Sequence, residues 1–273
     1  MKARIPEAST VRRACCLGGR VDASTPRCGV VHSVFAGAVN LRFADGWWTL
    51  LAAHRPDQPS GLRLAPESPD LPPIRAGSTV QVRAGHVRAG DVVIDCRAAT
   101  RWMPGAWPHA APGFEERLRW LEAEAARRAW TGAAPMARAL CDALDADDLA
   151  LAQIARRVVG RGPGLTPSGD DVLVGLLTAL GMRRVAMRDR LARVVASALY
   201  TTTDLSRHMI HEAALGLPGR ALHELGAALL SGAGFAGATR RALDTGATSG
   251  ADTALGLIAG CRRVFPAAAR GRA

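Results

Sequence analysis

Lysine is all but missing from this chain. Lys2 is the single one among 273 residues, so a formal charge of +11 rests on arginine. The arginines fall in separated pairs (Arg12–Arg13, Arg127–Arg128, Arg156–Arg157, Arg183–Arg184, Arg240–Arg241, Arg262–Arg263) rather than in a run. Pairs near helix ends suit solvated faces and complement the helix dipole. Aromatic residues make up 4%, with one tyrosine, so no basic stretch is interleaved with rings on which bases could stack. Both scarcities argue against nucleic acid as a partner. The six cysteines (Cys15, Cys16, Cys28, Cys96, Cys141, Cys261) form no CxxC and no metal-ligand spacing. Buried free thiols in a reducing compartment are the expectation. No apolar stretch follows Arg12 and Arg13 in the way a secretory signal requires. The longest apolar run, Val172–Met182, is broken at Thr178 and falls short of the roughly 20 residues that cross a bilayer. The chain reads as soluble and cytoplasmic, with no membrane partner.

What is abundant is apolar side chain, 48% of residues, enough for the core of one large domain or two ordinary ones. Residues 1–27 show no pattern and read as partly mobile. From Cys28 to Arg97 the pattern is β: Val30, Val31, Val34 and Phe35, then Ala38–Phe43, then Trp47–Ala52 after an Asp45-Gly46 hairpin turn. Gly61–Leu64, Ser78–Arg83 and Asp91–Cys96 are further short strands, and Pro66, Pro69, Pro72 and Pro73 make the segment between them a loop. Five or six short strands in about seventy residues predict a small barrel or sandwich. Met103–Gly113, rich in Pro and Gly, reads as a linker. Beyond it Phe114, Leu118, Leu121 and Ala125 share a helix face, and similar spacing continues through Leu243. The expected class is α+β, with a β-rich domain over 1–110 and a helical domain of seven to nine helices over 111–273.

Gly162–Leu180, GPGLTPSGDDVLVGLLTAL, organises that second half. Gly162, Pro163, Gly164 and Pro167 make a loop, with glycines that permit positive φ and close backbone approach. Ser168 stands where an N-cap is expected, with Asp170 and Asp171 in the first turn. Val172, Leu173, Leu176, Leu177 and Leu180 make the helix apolar nearly all round, hence buried. A Gly-rich loop feeding a buried helix start aims backbone N–H groups at one space, the physics of an anion site. The bland alternative is a well-capped core helix with no ligand.

An internal echo favours the site. At a constant offset of 81 residues Ser168, Gly169 and Asp171 fall on Ser249, Gly250 and Asp252, and Gly175, Leu176 and Leu177 on Gly256, Leu257 and Ile258. Each copy is a loop, S-G-x-D, and a buried helix carrying a glycine that lets another backbone approach. Side-by-side pairing would bring both helix starts to one pocket. A third polar cluster, Thr201-Thr202-Thr203-Asp204-Leu205-Ser206, reads as a helix start capped by Thr203 or Asp204, with hydroxyls to spare for the same pocket. His208 and His211, three apart on that helix, lack a third ligand at fixed spacing and read as interface residues rather than a metal site.

GPGLTPSGDDVLVGLL, TTTDLS and GATSGADTALGL in this order, behind a β-rich half containing HSVFAGAVNL, resemble the AllH-type subunit family of bacterial oxamate carbamoyltransferase over roughly Val30 to Gly260. The resemblance implies a transferase subunit in an anaerobic allantoin route, where oxalurate and phosphate interconvert with oxamate and carbamoyl phosphate. It also implies an assembly of different subunits. The sequence departs from similar proteins at Ala247, where a His before T-S-G would offer a proton. Carbamoyl phosphate and oxamate are small anions, in keeping with the helix starts. The anion-binding residues expected are Gly162, Gly164, Thr166, Ser168, Gly169, Thr202, Thr203, Ser206, Thr248, Ser249 and Gly250. Asp170, Asp171 and Asp252 are the expected catalytic carboxylates. Beside an anion they must cap, pair with arginine, or hold a cation such as Mg²⁺, which would sit at Asp171 and Asp252. The alternative to catalysis is a non-catalytic anion-binding or scaffold subunit of a larger enzyme complex.

Overall fold

The structure, a computed structural model, describes residues 10–67 and 69–265. The chain divides into two compact units between Pro104 and Gly105. The α+β class holds, and the β-rich half is a barrel rather than a sandwich.

Nine strands form among the described residues of the first unit: β1 (Thr10–Gly18), β2 (Arg27–Phe35), β3 (Ala38–Phe43), β4 (Gly46–Leu51), β5 (Gly61–Leu64), β6 (Thr79–Arg83), β7 (His86–Ala89), β8 (Val92–Asp95) and β9 (Thr100–Trp102). Their order is β5-β4-β3-β2-β6-β7-β8-β1-β9, and a further β5–β1 pairing closes β1 to β8 into an eight-stranded barrel. Closure abolishes the sheet edges that would otherwise be open to other strands. β1 makes this possible. Its first half pairs in parallel with β8 (Thr10 opposite Val92), its second half with β9 (Cys16 opposite Thr100), and its other edge with β5 across a register shift between Ala14 and Cys16. Leu41, Leu50, Leu62, Leu64, Val80 and Ile94 fill the interior. Each such side chain contributes about 1.5–3 kcal/mol relative to an exposed one.

Three strands depart from the sequence expectation: β1, β7 and β9 (Thr100–Trp102), the last lying just past the Cys28–Arg97 stretch that reads as β. Residues 10–18 are β1, not patternless chain; the rest of that expectation falls partly on residues 1–9, outside the described residues. β7 was hidden because its turn is Ala84-Gly85, with Ala84 at φ 49 and Gly85 at φ 80. Such a hairpin turn needs positive φ at both positions, and alanine gives no sign of it. The Asp45-Gly46 hairpin is present, turning through Ala44 and Asp45. All six cysteines are free thiols, yet Cys28 is exposed rather than buried.

Nine α-helices make up the second unit's described residues: α1 (Phe114–Ala126), α2 (Ala133–Ala143), α3 (Asp148–Val158), α4 (Ser168–Arg183), α5 (Val185–Ala196), α6 (Asp204–Ala214), α7 (Arg220–Ser231), α8 (Phe235–Leu243) and α9 (Ser249–Val264). The segment after Pro104 is docked on these helices, not slack: the Trp107 ring packs on His223 at 4.6 Å, and Ala111 N donates to Leu230 O at 2.9 Å. α4 is the core element, with Ser168–Leu180 buried throughout. No helix among the described residues is long and apolar enough to cross a membrane.

α4 and α9 begin and end 81 residues apart, Ser168–Arg183 against Ser249–Val264. A Cβ on Gly175 would lie 1.9 Å from Thr253 O, and one on Gly256 would lie 2.0 Å from Val172 O. These two contacts are the same contact seen from either helix, since Thr253 is the 81-residue counterpart of Val172. Further along, a Cβ on Gly260 would meet the Cβ of its own counterpart, Ala179, at 2.5 Å. The two helices therefore run parallel, backbone against backbone, related by a local two-fold along their length. Only glycine allows an approach this close.

Candidate functional site

Parallel pairing puts both helix starts at one end. Thr166 Oγ1, just ahead of α4, lies 3.0 Å from Ser249 Oγ, the first residue of α9. The two S-G-x-D stretches thus meet, although 81 residues separate them.

The local symmetry extends into the loops. A Cβ on Gly169 would strike Val158 O at 2.0 Å, and one on Gly250 would strike Ala242 O at 2.1 Å, so each glycine admits the end of the preceding helix. Gly169 N donates to Arg161 O and Gly250 N to Thr245 O, both at 2.8 Å. These two N–H groups, expected to be orphans, are taken by their own loops. Gly162, at φ 106, lies against the Ser168 backbone N and side chain, and Gly164, at φ 94, is exposed on the loop. Ser168 is not the N-cap of α4. That position is Pro167, and the buried Ser168 Oγ has no hydrogen-bond partner. Thr248 occupies the N-cap of α9 without a side-chain cap bond.

The threonine cluster turns inward. Thr201 Oγ1 donates to Ala198 O, Thr202 Oγ1 to Asp170 Oδ2, and Thr203 Oγ1 to Leu165 O at 2.8 Å. Thr203 also caps α6, accepting from Ser206 N at 3.1 Å, which decides between it and Asp204. Thr203 thus ties the start of α6 to the α3–α4 loop and Thr202 ties the preceding turn to α4, while the Thr201 bond is local. Ser206 is buried beside Asp170, its Oγ without a hydrogen bond of good geometry. His208 Nε2 lies 3.5 Å from Glu212, while His211 is exposed.

Three carboxylates lie beneath this rim, Asp170, Asp171 and Asp252, each at most 2% exposed. Asp170 Oδ1 accepts from Gly160 N at 2.9 Å and its Oδ2 from Thr202. Asp171 Oδ2 has Thr166 Oγ1 at 3.4 Å, and Ser249 is its other hydroxyl neighbour. Asp252 Oδ1 accepts from Trp130 N at 2.8 Å, while its Oδ2 is sealed and unpartnered. Burial raises the pKa of Asp170, against the pull of its donors. Burial raises Asp171 well above the carboxylate range, reinforced by the charges of Asp252 and Asp170. No arginine or histidine among the described residues ion-pairs with any of the three, so arginine pairing is not their role.

No group of three or more His, Cys, Asp or Glu among the described residues is arranged to hold a metal ion. Asp171 and Asp252 are themselves closed to solvent, at 2% and 0% exposed. The accessible part of the site is the rim, where Thr166, Thr202, Thr203, Thr248 and Ser249 are half-buried and Gly246 and Ala247 are exposed. Gly160 and Trp130, whose N–H groups hold two of the carboxylates, carry no signal in the sequence, because the bonds depend on where distant turns come to rest. A cleft of about 440 Å³ between α1, α2 and α9, lined by Arg138, Cys141, Leu255 and Arg262 among others, lies apart from these residues.

The family described as oxamate carbamoyltransferase subunit AllH matches residues 158–261, and the AllH family N-terminal domain matches residues 9–101. The first range spans both S-G-x-D helices and the second the barrel. No curated protein and no solved structure matches the chain.

Proposed function

Because the chain belongs to the AllH family of oxamate carbamoyltransferase subunits, we propose that it serves as the small-anion-binding subunit of a multisubunit carbamoyltransferase. Its ligands on this reading are carbamoyl phosphate or phosphate and oxamate or oxalurate, in allantoin breakdown. The observation that carries the reading is the meeting of Thr166 and Ser249 at 3.0 Å where two helices start. Helix starts favour negative charge, and hydroxyls there add donors of adjustable direction. The anion sits at the rim formed by Thr166, Thr248 and Ser249, with Ser168 beneath. Asp170, Asp171 and Asp252 hold the rim and its loops in position. Catalysis needs the other subunits, since Ala247 offers no proton.

Calorimetric titration with carbamoyl phosphate, phosphate, oxamate and oxalurate tests this, with and without Mg²⁺, on the chain alone and with its partner subunits. Weak binding by the chain alone, no turnover, and no effect of Mg²⁺ are expected. Absence of binding under every condition would leave the second reading, a scaffold subunit. That reading draws on one observation: the Gly169 and Gly250 N–H groups and the threonine hydroxyls are already engaged within the chain.

A further inference from the structure

The cleft between α1, α2 and α9 is no part of the anion rim, and two helix faces build its walls. Ala134, Ala137 and Cys141 line it from α2, and Leu255, Ile258 and Arg262 from α9. Each set is spaced by three and then four residues, which keeps it on one side of its helix. Alanine puts little side chain into the α2 wall, and about 440 Å³ stays open, the size of an ordinary small-molecule site. Ala137, Leu255 and Ile258 are buried and give the cleft an apolar floor.

The charged residues of the cleft fall into two kinds. Glu122 and Arg262 satisfy one another, with Arg262 Nη1 and Nη2 donating to the two carboxylate oxygens at 2.7 and 2.5 Å. Arg138 and Asp142, one turn apart on α2, are exposed and make no ion pair or hydrogen bond among the described residues. Arginine ahead of aspartate is the weaker order for such a pair on a helix, and both stay available to a ligand. Cys141 adds no reactive group: its Sγ donates to Ala259 O at 3.4 Å, and burial raises its pKa away from the thiolate. The cleft is equipped to hold a molecule rather than to transform one.

We propose that this cleft is a second binding site, for a small zwitterion with an apolar body, of the class of the aliphatic α-amino acids. Arg138 receives the carboxylate, Asp142 the ammonium group, and the side chain lies on Leu255 and Ile258. Along the helix axis Arg138 and Asp142 stand about 6 Å apart, a span that their flexible side chains close onto the two charged groups. Glu122 and Asp142 balance Arg138 and Arg262, so the cleft as a whole favours neither sign. A singly charged ligand leaves one of the two free groups unmatched, whereas a zwitterion matches both. The site stands whether or not the anion-binding reading does.

L-Leucine is the probe. Its singly charged counterparts are 4-methylpentanoate, which lacks the ammonium group, and L-leucinamide, which lacks the carboxylate and keeps its amine charged at about pH 6.5. Amide chemical shifts of the full chain are followed during titration with each. Leucine should shift the amides of Ala137, Cys141 and Ile258, and each counterpart should bind about three- to tenfold more weakly. Arg138→Ala and Asp142→Ala, both at exposed positions, should weaken leucine by a similar factor. Ala134→Leu, which fills the cleft from α2, should abolish the shifts and leave the helical circular dichroism intact. No leucine-induced shift, or shifts confined to another surface, overturns the proposal. Leucine binding that neither charge variant weakens, or a counterpart that binds as tightly as leucine, overturns the zwitterion reading. The comparison of the three ligands on the wild-type chain decides this even where a variant fails to fold.

Discussion

Asp95 in the barrel and Asp171 in the helical unit are both hydrogen-bonded by their neighbours, yet they respond to pH in opposite directions. Asp95 stands near the surface with the Arg97 guanidinium on both oxygens, at 2.9 and 2.7 Å, which holds its pKa well below the carboxylate range. Asp22, on the same unit, is lowered likewise by Ser24 and Thr25. Asp171 is buried among hydroxyls and other carboxylates, and its pKa is raised. The barrel keeps Asp95 and Asp22 near its surface, where donors are plentiful, and pairs its buried Asp57 with Arg63 at 2.7 Å. The helical unit puts three in its core and gives them hydroxyls and backbone N–H groups. The contrast teaches that burial beside other carboxylates raises an acid's pKa, whereas an arginine beside it near the surface lowers it.

The largest effect should come from breaking the helix pair on which that buried cluster depends. Gly175→Val places a branched side chain where Thr253 O already lies 1.9 Å from a Cβ, and a loss above about 4 kcal/mol is expected. Loss of helical circular dichroism checks it; a stable, native-like variant would show that α4 and α9 are not packed backbone to backbone. Next, Asp170→Ala leaves Gly160 N–H and Thr202 without their acceptor, for about 2 kcal/mol in urea unfolding. The pH response is smaller per step. Over the range above the ordinary value of 3.8 and below its own raised pKa, folded Asp171 keeps a proton that the unfolded chain has lost. Stability should therefore fall as pH rises there, by at most about 1.4 kcal/mol per pH unit, and Asp171→Asn should remove the slope. Asp95 works the other way: its contribution is present above 3.8 and lost as pH falls towards its depressed pKa, and Arg97→Ala should weaken that loss. Urea midpoints of wild type and both variants, measured from pH 3 to 8, separate the two arms. Smallest is Thr203→Ala, which removes the cap of α6 for about 1 kcal/mol.

Much of this was legible in the residues, for physical reasons that differ by region. β2 to β6 and β8 announced themselves through alternation and Gly, Pro or Asp turns. β1 did not, because Arg12-Arg13 and Cys15-Cys16 break the alternation and its partners lie far along the chain. The meeting of the S-G-x-D stretches was readable because Gly175 and Gly256 occur in register. The purpose of Gly169 and Gly250 was not: both serve the carbonyls of Val158 and Ala242, which only the folded backbone brings there. Likewise the hydroxyls of Thr201, Thr202 and Thr203 suggested spare donors, and all three are used within the fold.

The measurement that bears most directly on the central claim is residue-resolved. Backbone amide chemical shifts of the full chain, followed during titration with carbamoyl phosphate, should move first and furthest at Thr166, Thr248 and Ser249 and their immediate neighbours. Shifts confined to another surface would contradict the claim that the paired helix starts bind the anion, the clearest case being the cleft lined by Arg128, Thr239 and Arg240 between α1 and α8.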